Sequence, residues 1–171
     1  MKQSVLIFAI SCLLASCGSN DSADHQHPAA QTSNVNKAVL EADVTDGRQV
    51  VVLLADDNMK FNAKEVKVKA GMPVELTLKH TGKAPKVTMG HNVVILRPDV
   101  VVSDFVERAN AAAATDYIPE ELTGQIVVHT RMLGGGESDT RTFTFEKPGT
   151  YTFLCTFPGH SMIMKGKFVV E

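Results

Sequence analysis

From residue 37 onward the chain is built of short apolar–polar alternations separated by turn residues. In residues 64–69, Val66 and Val68 alternate with Glu65, Lys67 and Lys69. In residues 74–79, Val74, Leu76 and Leu78 alternate with Glu75, Thr77 and Lys79. A period of two places one set of side chains on each face of a strand, so both segments predict half-buried strands, expected to pair antiparallel. The same reading predicts strands at 39–44, 49–55, 93–96, 125–129, 140–145, 150–155 and 166–171. Between them fall Asp46-Gly47, Asp56-Asp57-Asn58, Gly71-Met72-Pro73, Gly134-Gly135-Gly136 and Lys147-Pro148-Gly149, each a sequence that turns or loosens the chain. Residues 80–86 hold Gly82 and Pro85 and read as a loop, as do residues 120–124. One stretch breaks the pattern. Residues 104–114 are Ala-rich, and Asp104-Phe105-Val106-Glu107 resembles a capping box, so one short helix is expected there. About eight short strands with a single inserted helix predict an all-β, Greek-key sandwich or barrel.

The first 36 residues follow a different pattern. A short positive start at Lys2 precedes the apolar run 5–15, which is too short to span a bilayer and reads as a secretory signal. Leu14-Ala15-Ser16-Cys17 resembles the bacterial lipoprotein processing site, which makes residues 1–16 the signal peptide and Cys17 the lipidated first residue. Gly18 after that Cys favours the outer membrane by resemblance to Gram-negative lipoproteins. Residues 17–36 are polar and nearly free of large apolar side chains, so a flexible linker is expected, with the folded domain spanning 37–171. His25 and His27 in that linker read as solvated residues.

The net charge of −2 carries no basic excess, which argues against nucleic acid as a partner. With Cys12 in the signal and Cys17 lipidated, Cys155 is the one thiol of the expected domain. A lone Cys in an exported protein is either reactive or bound to something.

Cys155 belongs to the densest chemistry in the chain. Cys155-Thr156-Phe157-Pro158-Gly159-His160-Ser161-Met162-Ile163-Met164 puts a thiol, an imidazole and a thioether in one tight loop, bent by Pro158-Gly159. That loop cannot supply every direction around an ion, so His91, in Met89-Gly90-His91-Asn92, is expected from a facing segment. Gly90 would bring a bare carbonyl close as a further weak ligand. Two His, one Cys and a weak axial Met are the donor set of blue copper, whereas structural zinc takes four strong Cys or His donors.

These motifs are similar to those of the azurin family of cupredoxins, over roughly residues 49–171, and the Cys17 signal makes the chain most like the lipid-modified members. The resemblance implies one type 1 copper held by His91, Cys155 and His160, with Met164 axial and Gly90 opposite. It also implies that Asn92 ties the two ligand segments together, that Thr156 and Phe157 support the thiolate, and that Phe157 and Pro158 pack over the site. Met59, Ala84, Met89, Phe157 and Met162 match an apolar docking face around the outer ligand His. His80 matches a partly buried His that can titrate, and His129 reads as a surface residue. Two departures stand out: both cysteines of the disulfide that pins the first azurin strand are missing, and Val93 stands where a core Trp is often found.

The expected function is one-electron transfer without enzymatic turnover, in a monomer lipid-anchored to the outer membrane and facing periplasm or exterior. The family implies transient docking to c-type cytochromes or to a terminal reductase such as a nitrite reductase or a peroxidase. A copper-handling lipoprotein is the alternative. A cysteine hydrolase built on Cys155 and His160 lacks any distinct orienting acid.

Overall fold

A computed structural model describes residues 39–171. The expected signal peptide, the lipidation site at Cys17 and the linker, with His25 and His27, lie outside the described residues. Among the described residues, eleven strands form two sheets, joined by two α-helical segments and short 3-10 turns. The strands are β1 (Val39–Glu41), β2 (Asp43–Thr45), β3 (Arg48–Asp56), β4 (Lys60–Phe61), β5 (Glu65–Val68), β6 (Pro73–His80), β7 (Val94–Leu96), β8 (Ile126–His129), β9 (Ser138–Thr144), β10 (Gly149–Leu154) and β11 (Lys165–Val170). One sheet runs β1-β5-β11-β10-β7-β8 and the other β2-β3-β6-β9, with β4 paired to β3. The count exceeds eight because residues 39–45 divide into two strands, one in each sheet, and because Lys60 and Phe61 add a two-residue strand.

The alternations place side chains as the period requires. In β3, Gln49, Val51, Leu53 and Ala55 point inward, and in β6, Val74, Leu76, Leu78 and His80 do. Gln49 is a buried polar residue whose needs are met: Nε2 donates to the Lys69 and Met72 carbonyls at 3.0 and 3.3 Å, and Oε1 accepts the Lys69 N–H at 2.6 Å. The main core lies between the sheets and gathers Val66, Val68, Phe145, Phe153 and Phe168 with the inward residues of β3 and β6. β7 is apolar on both faces. Val93, just before it, and Ile95 face this core, while Val94 and Leu96 face a second cluster under the helix, with Phe105, Ala109 and Leu154.

Three expectations need correction. Strands β3 and β6 are parallel, as are β5 and β11 and β1 and β5. A parallel pair needs a crossover, and here the link from β3 to β6 crosses to the other sheet as β5. The helix α2 is Val102–Ala111, with Val101 at its N-cap and no side-chain cap, so Asp104 and Glu107 do not form a capping box. Asp104 sits in the first turn, where its charge complements the helix dipole, and accepts a 3.1 Å bond from the Ser103 hydroxyl. Finally, the end of the 80–86 loop winds into a single helical turn, α1 (Lys86–Met89), with the Pro85 carbonyl accepting the Thr88 and Met89 N–H groups.

The sequence of ends fixes where chemistry can occur. β3 and β6 both finish, and β5 and β11 both start, at the end of the sandwich where β10 hands over to residues 155–164. That end is the metal end; the turn at Asp46-Gly47 and the 145–148 connection lie at the other.

Candidate metal centre

Cys155 follows β10 directly, and its N–H donates to the Met164 carbonyl at 3.0 Å, which closes the ten-residue loop at its base. Gly159, at φ +82°, makes the reversal, a conformation that a side chain would strain. A 3-10 turn (His160–Met162) follows, and the His160 carbonyl accepts the Ile163 and Met164 N–H groups at 3.0 and 2.7 Å. His160 and Met164 are thereby fixed to the same turn. His91 comes from the facing segment, where its N–H and C=O both pair with Leu133. Gly90 must lack a side chain, because a Cβ there would lie 2.6 Å from the Lys86 carbonyl and 2.9 Å from the Met132 sulfur.

The donors converge. Cys155 Sγ lies 3.7 Å from His160 Nδ1, 4.0 Å from His91 Nδ1 and 3.8 Å from the Gly90 carbonyl oxygen. The three strong donor atoms lie within 4.8 Å of one another. A first-row ion centred among N and S donors at about 2.0–2.3 Å requires separations of about 3.5–4 Å, so the donor set fits such an ion. The tautomer fits as well. His91 Nε2 faces the Asp56 carbonyl at 2.9 Å and donates to it, which leaves the Nδ1 lone pair directed at the sulfur. Met164 is fully buried beside this trigonal set, and a thioether with a lone carbonyl in place of a fourth strong donor selects copper over structural zinc.

Burial sets the protonation. It pushes the Cys155 thiol up to about 11, against the pull of the Asn92 and Phe157 N–H groups. Burial also lowers His91 to about 4, opposed by its bond to Asp56, and lowers His160. Both imidazoles are therefore neutral ligands at neutral pH. A thiol held protonated and fully buried is a poor nucleophile, which removes the basis for the hydrolase reading.

Asn92 joins the two ligand segments: its Oδ1 accepts the Thr156 N–H at 2.9 Å and its Nδ2 donates to Thr156 Oγ1 at 2.8 Å. Phe157 lies half-buried with its ring 4.6 Å from that of His160, and Pro158 is exposed. Of the expected docking residues, Met162 is 75% exposed, whereas Met59, Ala84 and Met89 are half-buried. Val87 and Ile163, at 81% and 48%, are exposed apolar residues of the same end that the sequence reading missed. His80 is fully buried, 4.5 Å from the His91 ring, with Nε2 3.7 Å from Asp57 Oδ1. Asp57 accepts the Lys83 and Ala84 N–H groups, which hold its carboxyl below the ordinary range. His129 is half-buried in β8 rather than a free surface residue, with Nδ1 near the Thr130 carbonyl at 3.1 Å.

Other supports were not legible. The Asp56 and Leu133 contacts to His91 are made by main-chain atoms, which carry no residue-type signal. Thr130 Oγ1 accepts the Val93 N–H at 2.9 Å and so fixes the strand after the ligand. Asp116 and Tyr117 both have positive φ, and this bend sets the Tyr117 ring 5.6 Å from Phe157 while Asp116 pairs with Lys86 at 3.0 Å.

A buried two-His, one-Cys site with an adjacent Met at one end of a β-sandwich defines a type 1 copper protein. The chain belongs to the plastocyanin/azurin family of copper-binding proteins, whose model matches residues 48–171. It is similar to the outer membrane protein H.8 of Neisseria gonorrhoeae, 41% identical over 124 residues, covering 71% of this chain and 67% of that protein. It is also similar to azurin of Alcaligenes faecalis, 38% identical over 120 residues, covering 68% of this chain and 93% of that one. Among solved structures, auracyanin of Roseiflexus castenholzii matches with a TM-score of 0.64 at 36% identity, covering 71% of this chain and 96% of that chain. Proteins of this family transfer electrons and are not enzymes.

Proposed function

We propose that this chain is a lipid-anchored one-electron carrier of the cell envelope. The observation that carries the reading is the trigonal set of Cys155 Sγ with the Nδ1 atoms of His91 and His160, buried at the end of a two-sheet frame. When bound, copper supplies the one-electron couple. The protein's part is to hold His91, Cys155 and His160 in one geometry for both oxidation states and to keep water away. Asn92 and Thr156 lock the two ligand segments, and the Cys155–Met164 bond closes the loop. Met164 and the Gly90 carbonyl would serve as further, weak donors.

Electrons pass through His160, whose Nδ1 faces the sulfur, whose ring packs 4.6 Å from that of Phe157, and which lies close in sequence to the exposed Met162 and Ile163. With Met59, Ala84, Val87 and Met89 around it, the metal end is the docking face. Small apolar contacts of this kind suit brief redox encounters with a c-type cytochrome or a terminal reductase. Cys17 carries the lipid and residues 17–36 the linker, by the motif at Leu14-Ala15-Ser16-Cys17 and by the similarity to a protein named for the outer membrane.

The test is the absorption spectrum and potential of the full-length native protein, with mass spectrometry of the Cys17 peptide. An intense blue thiolate-to-copper band that bleaches reversibly is expected; a colourless Cu(II) complex overturns electron transfer. Met162→Glu should slow electron self-exchange at least tenfold with an unchanged spectrum, and an unchanged rate overturns the docking face. A copper-handling role would instead require rapid metal loss to a chelator.

A further inference from the structure

Residues 39–45 precede the family match, which begins at residue 48, yet they form a strap across both sheets. β1 runs parallel to β5, with Val39 opposite Glu65 and Glu41 opposite Lys67. β2 then crosses to the other sheet and pairs antiparallel with β3, with Thr45 opposite Arg48. Leu40 and Ala42 pack on the main core, and the Ala42 N–H donates to the Lys67 carbonyl at 3.2 Å.

The direction of this strap is its consequence. β5 starts beside the ligand loop: Lys64 Nζ donates to the Ile163 and Lys165 carbonyls at 2.5 and 3.4 Å, and Lys167 stands opposite Glu65. Val39, in register with Glu65, is therefore at the metal end, two strands from β11, a separation of about 10 Å. From Val39 the chain runs away to Thr45, reverses at Asp46-Gly47, and returns along β3 to Asp56, whose carbonyl accepts from His91. A domain beginning at Arg48 would be entered at the far end. The strap moves the entry point by roughly 20 Å, at about 3.3 Å per strand residue.

Lys60, Lys83 and Lys165 at the metal end form no ion pair among the described residues, whereas the far end carries both signs unpaired, Asp46, Asp99 and Glu171 beside Lys69, Arg97 and Lys147. Near a surface with anionic headgroups the lysines of the metal end favour that end facing inward.

We infer that the strap roots the membrane tether at the metal end, so that the docking face works toward the membrane and its partner is a redox protein held at that same membrane. The inference rests on the lipid anchor at Cys17 proposed above. Residues 17–38 number 22, and a coil-like chain of that length has a root-mean-square reach of roughly 25 Å. Rooted at Val39, the docking face lies within that reach. Rooted at the far end, it would stand a further strand length away.

The test uses the full-length, lipidated, copper-loaded protein, reduced, in phosphatidylcholine vesicles with an acceptor dye in the headgroups. A donor dye is placed on Lys83→Cys at the metal end or Lys147→Cys at the far end; Cys155 is buried and Cys17 blocked by lipid. Energy transfer from position 83 should exceed that from position 147 at least twofold. A chain that lacks residues 1–38 and instead carries the sequence of residues 18–38 after Glu171, at the far end of β11, closed by a terminal Cys coupled to a maleimide lipid, should reverse the order. Equal transfer, or stronger transfer from position 147 in the native chain, overturns the inference, as does an order that ignores the root. A chain without lipid at Cys17 overturns the anchor and the inference together, whereas a lipidated chain with the wrong order overturns the inference alone. Oxidation by a c-type cytochrome anchored in the same vesicles should be severalfold faster for the native root than for the Glu171 root, with no difference for the soluble cytochrome. Equal rates in both formats overturn the membrane-held partner.

Discussion

The Asn92 amide and Thr156 are joined at two points, N–H to Oδ1 at 2.9 Å and Nδ2 to Oγ1 at 2.8 Å, in a fully buried position. One residue follows ligand His91 and the other follows ligand Cys155, so the pair sets the spacing of the two segments. Asn92→Ala leaves the Thr156 N–H without its partner, and the expected loss is about 2–3 kcal/mol of unfolding free energy. Thr156→Ala removes one bond and should cost about 1 kcal/mol. A double-mutant cycle by chemical denaturation should return a coupling of about 1 kcal/mol or more, and a coupling near zero would show the clamp to be idle.

Metal-free protein should weaken in alkali through Cys155. Its thiol rises from 9.0 to about 11 on folding, because burial disfavours the thiolate. The neutral thiol is the favoured folded form, so this stability is complete below pH 9 and is lost as the pH climbs through 11. The loss is on the order of 2–3 kcal/mol. Denaturation of the metal-free protein against pH should show it, and Cys155→Ser should remove that part of the slope.

In acid the corresponding group is His91, lowered from 6.5 to about 4 chiefly by burial. The folded state holds it neutral, so its contribution is present above pH 6.5 and disappears as the pH falls through 4. Copper competes with the same proton at Nδ1, so metal release should steepen in that window. The check is a copper-release titration from pH 7 to pH 3. A flat profile down to pH 4 would contradict the assignment of Nδ1 as donor.

The ligand residues could be read from the chain because soft-metal chemistry admits few side-chain types, and Cys155, His160 and Met164 lie within one loop. The strands were legible where one face is buried, as in 64–69 and 74–79. What the alternation does not encode is direction. β3 and β6 have the same period whether parallel or antiparallel, and only the crossover through β5 decides. Main-chain partners were equally silent, so nothing marked the Asp56 carbonyl as the group that orients His91. Half-burial of Met59, Ala84 and Met89 depends on how the loops fold over one another, and no periodicity reports that.

Gln49 shows how the frame manages without the disulfide expected of azurins. It is 2% exposed, and its amide holds the 69–72 turn through both Lys69 main-chain groups and the Met72 carbonyl. Gln49→Leu keeps the volume but strands those groups, at an expected cost of about 2–4 kcal/mol. The turn lies at the far end, so the blue spectrum should be unchanged while the melting temperature falls. A shifted spectrum would mean that the two ends are coupled through β3.

Lys64 and Met164 are linked through the main chain: the ammonium of Lys64 bonds the carbonyls of Ile163 and Lys165, the residues on either side of Met164. Such charge-assisted bonds are stronger than neutral ones. This pair is exposed, so about 1 kcal/mol of stability is expected from it. The geometric consequence is the more informative one. Lys64→Met keeps the aliphatic stem and frees the C-terminal side of the loop, so copper loss to a chelator should quicken severalfold. Lys64→Arg should restore slow loss, because a guanidinium can also donate to both carbonyls. A simple charge effect would instead change the reduction potential with no change in release, and equal release from all three proteins would show that the lysine does not hold the loop.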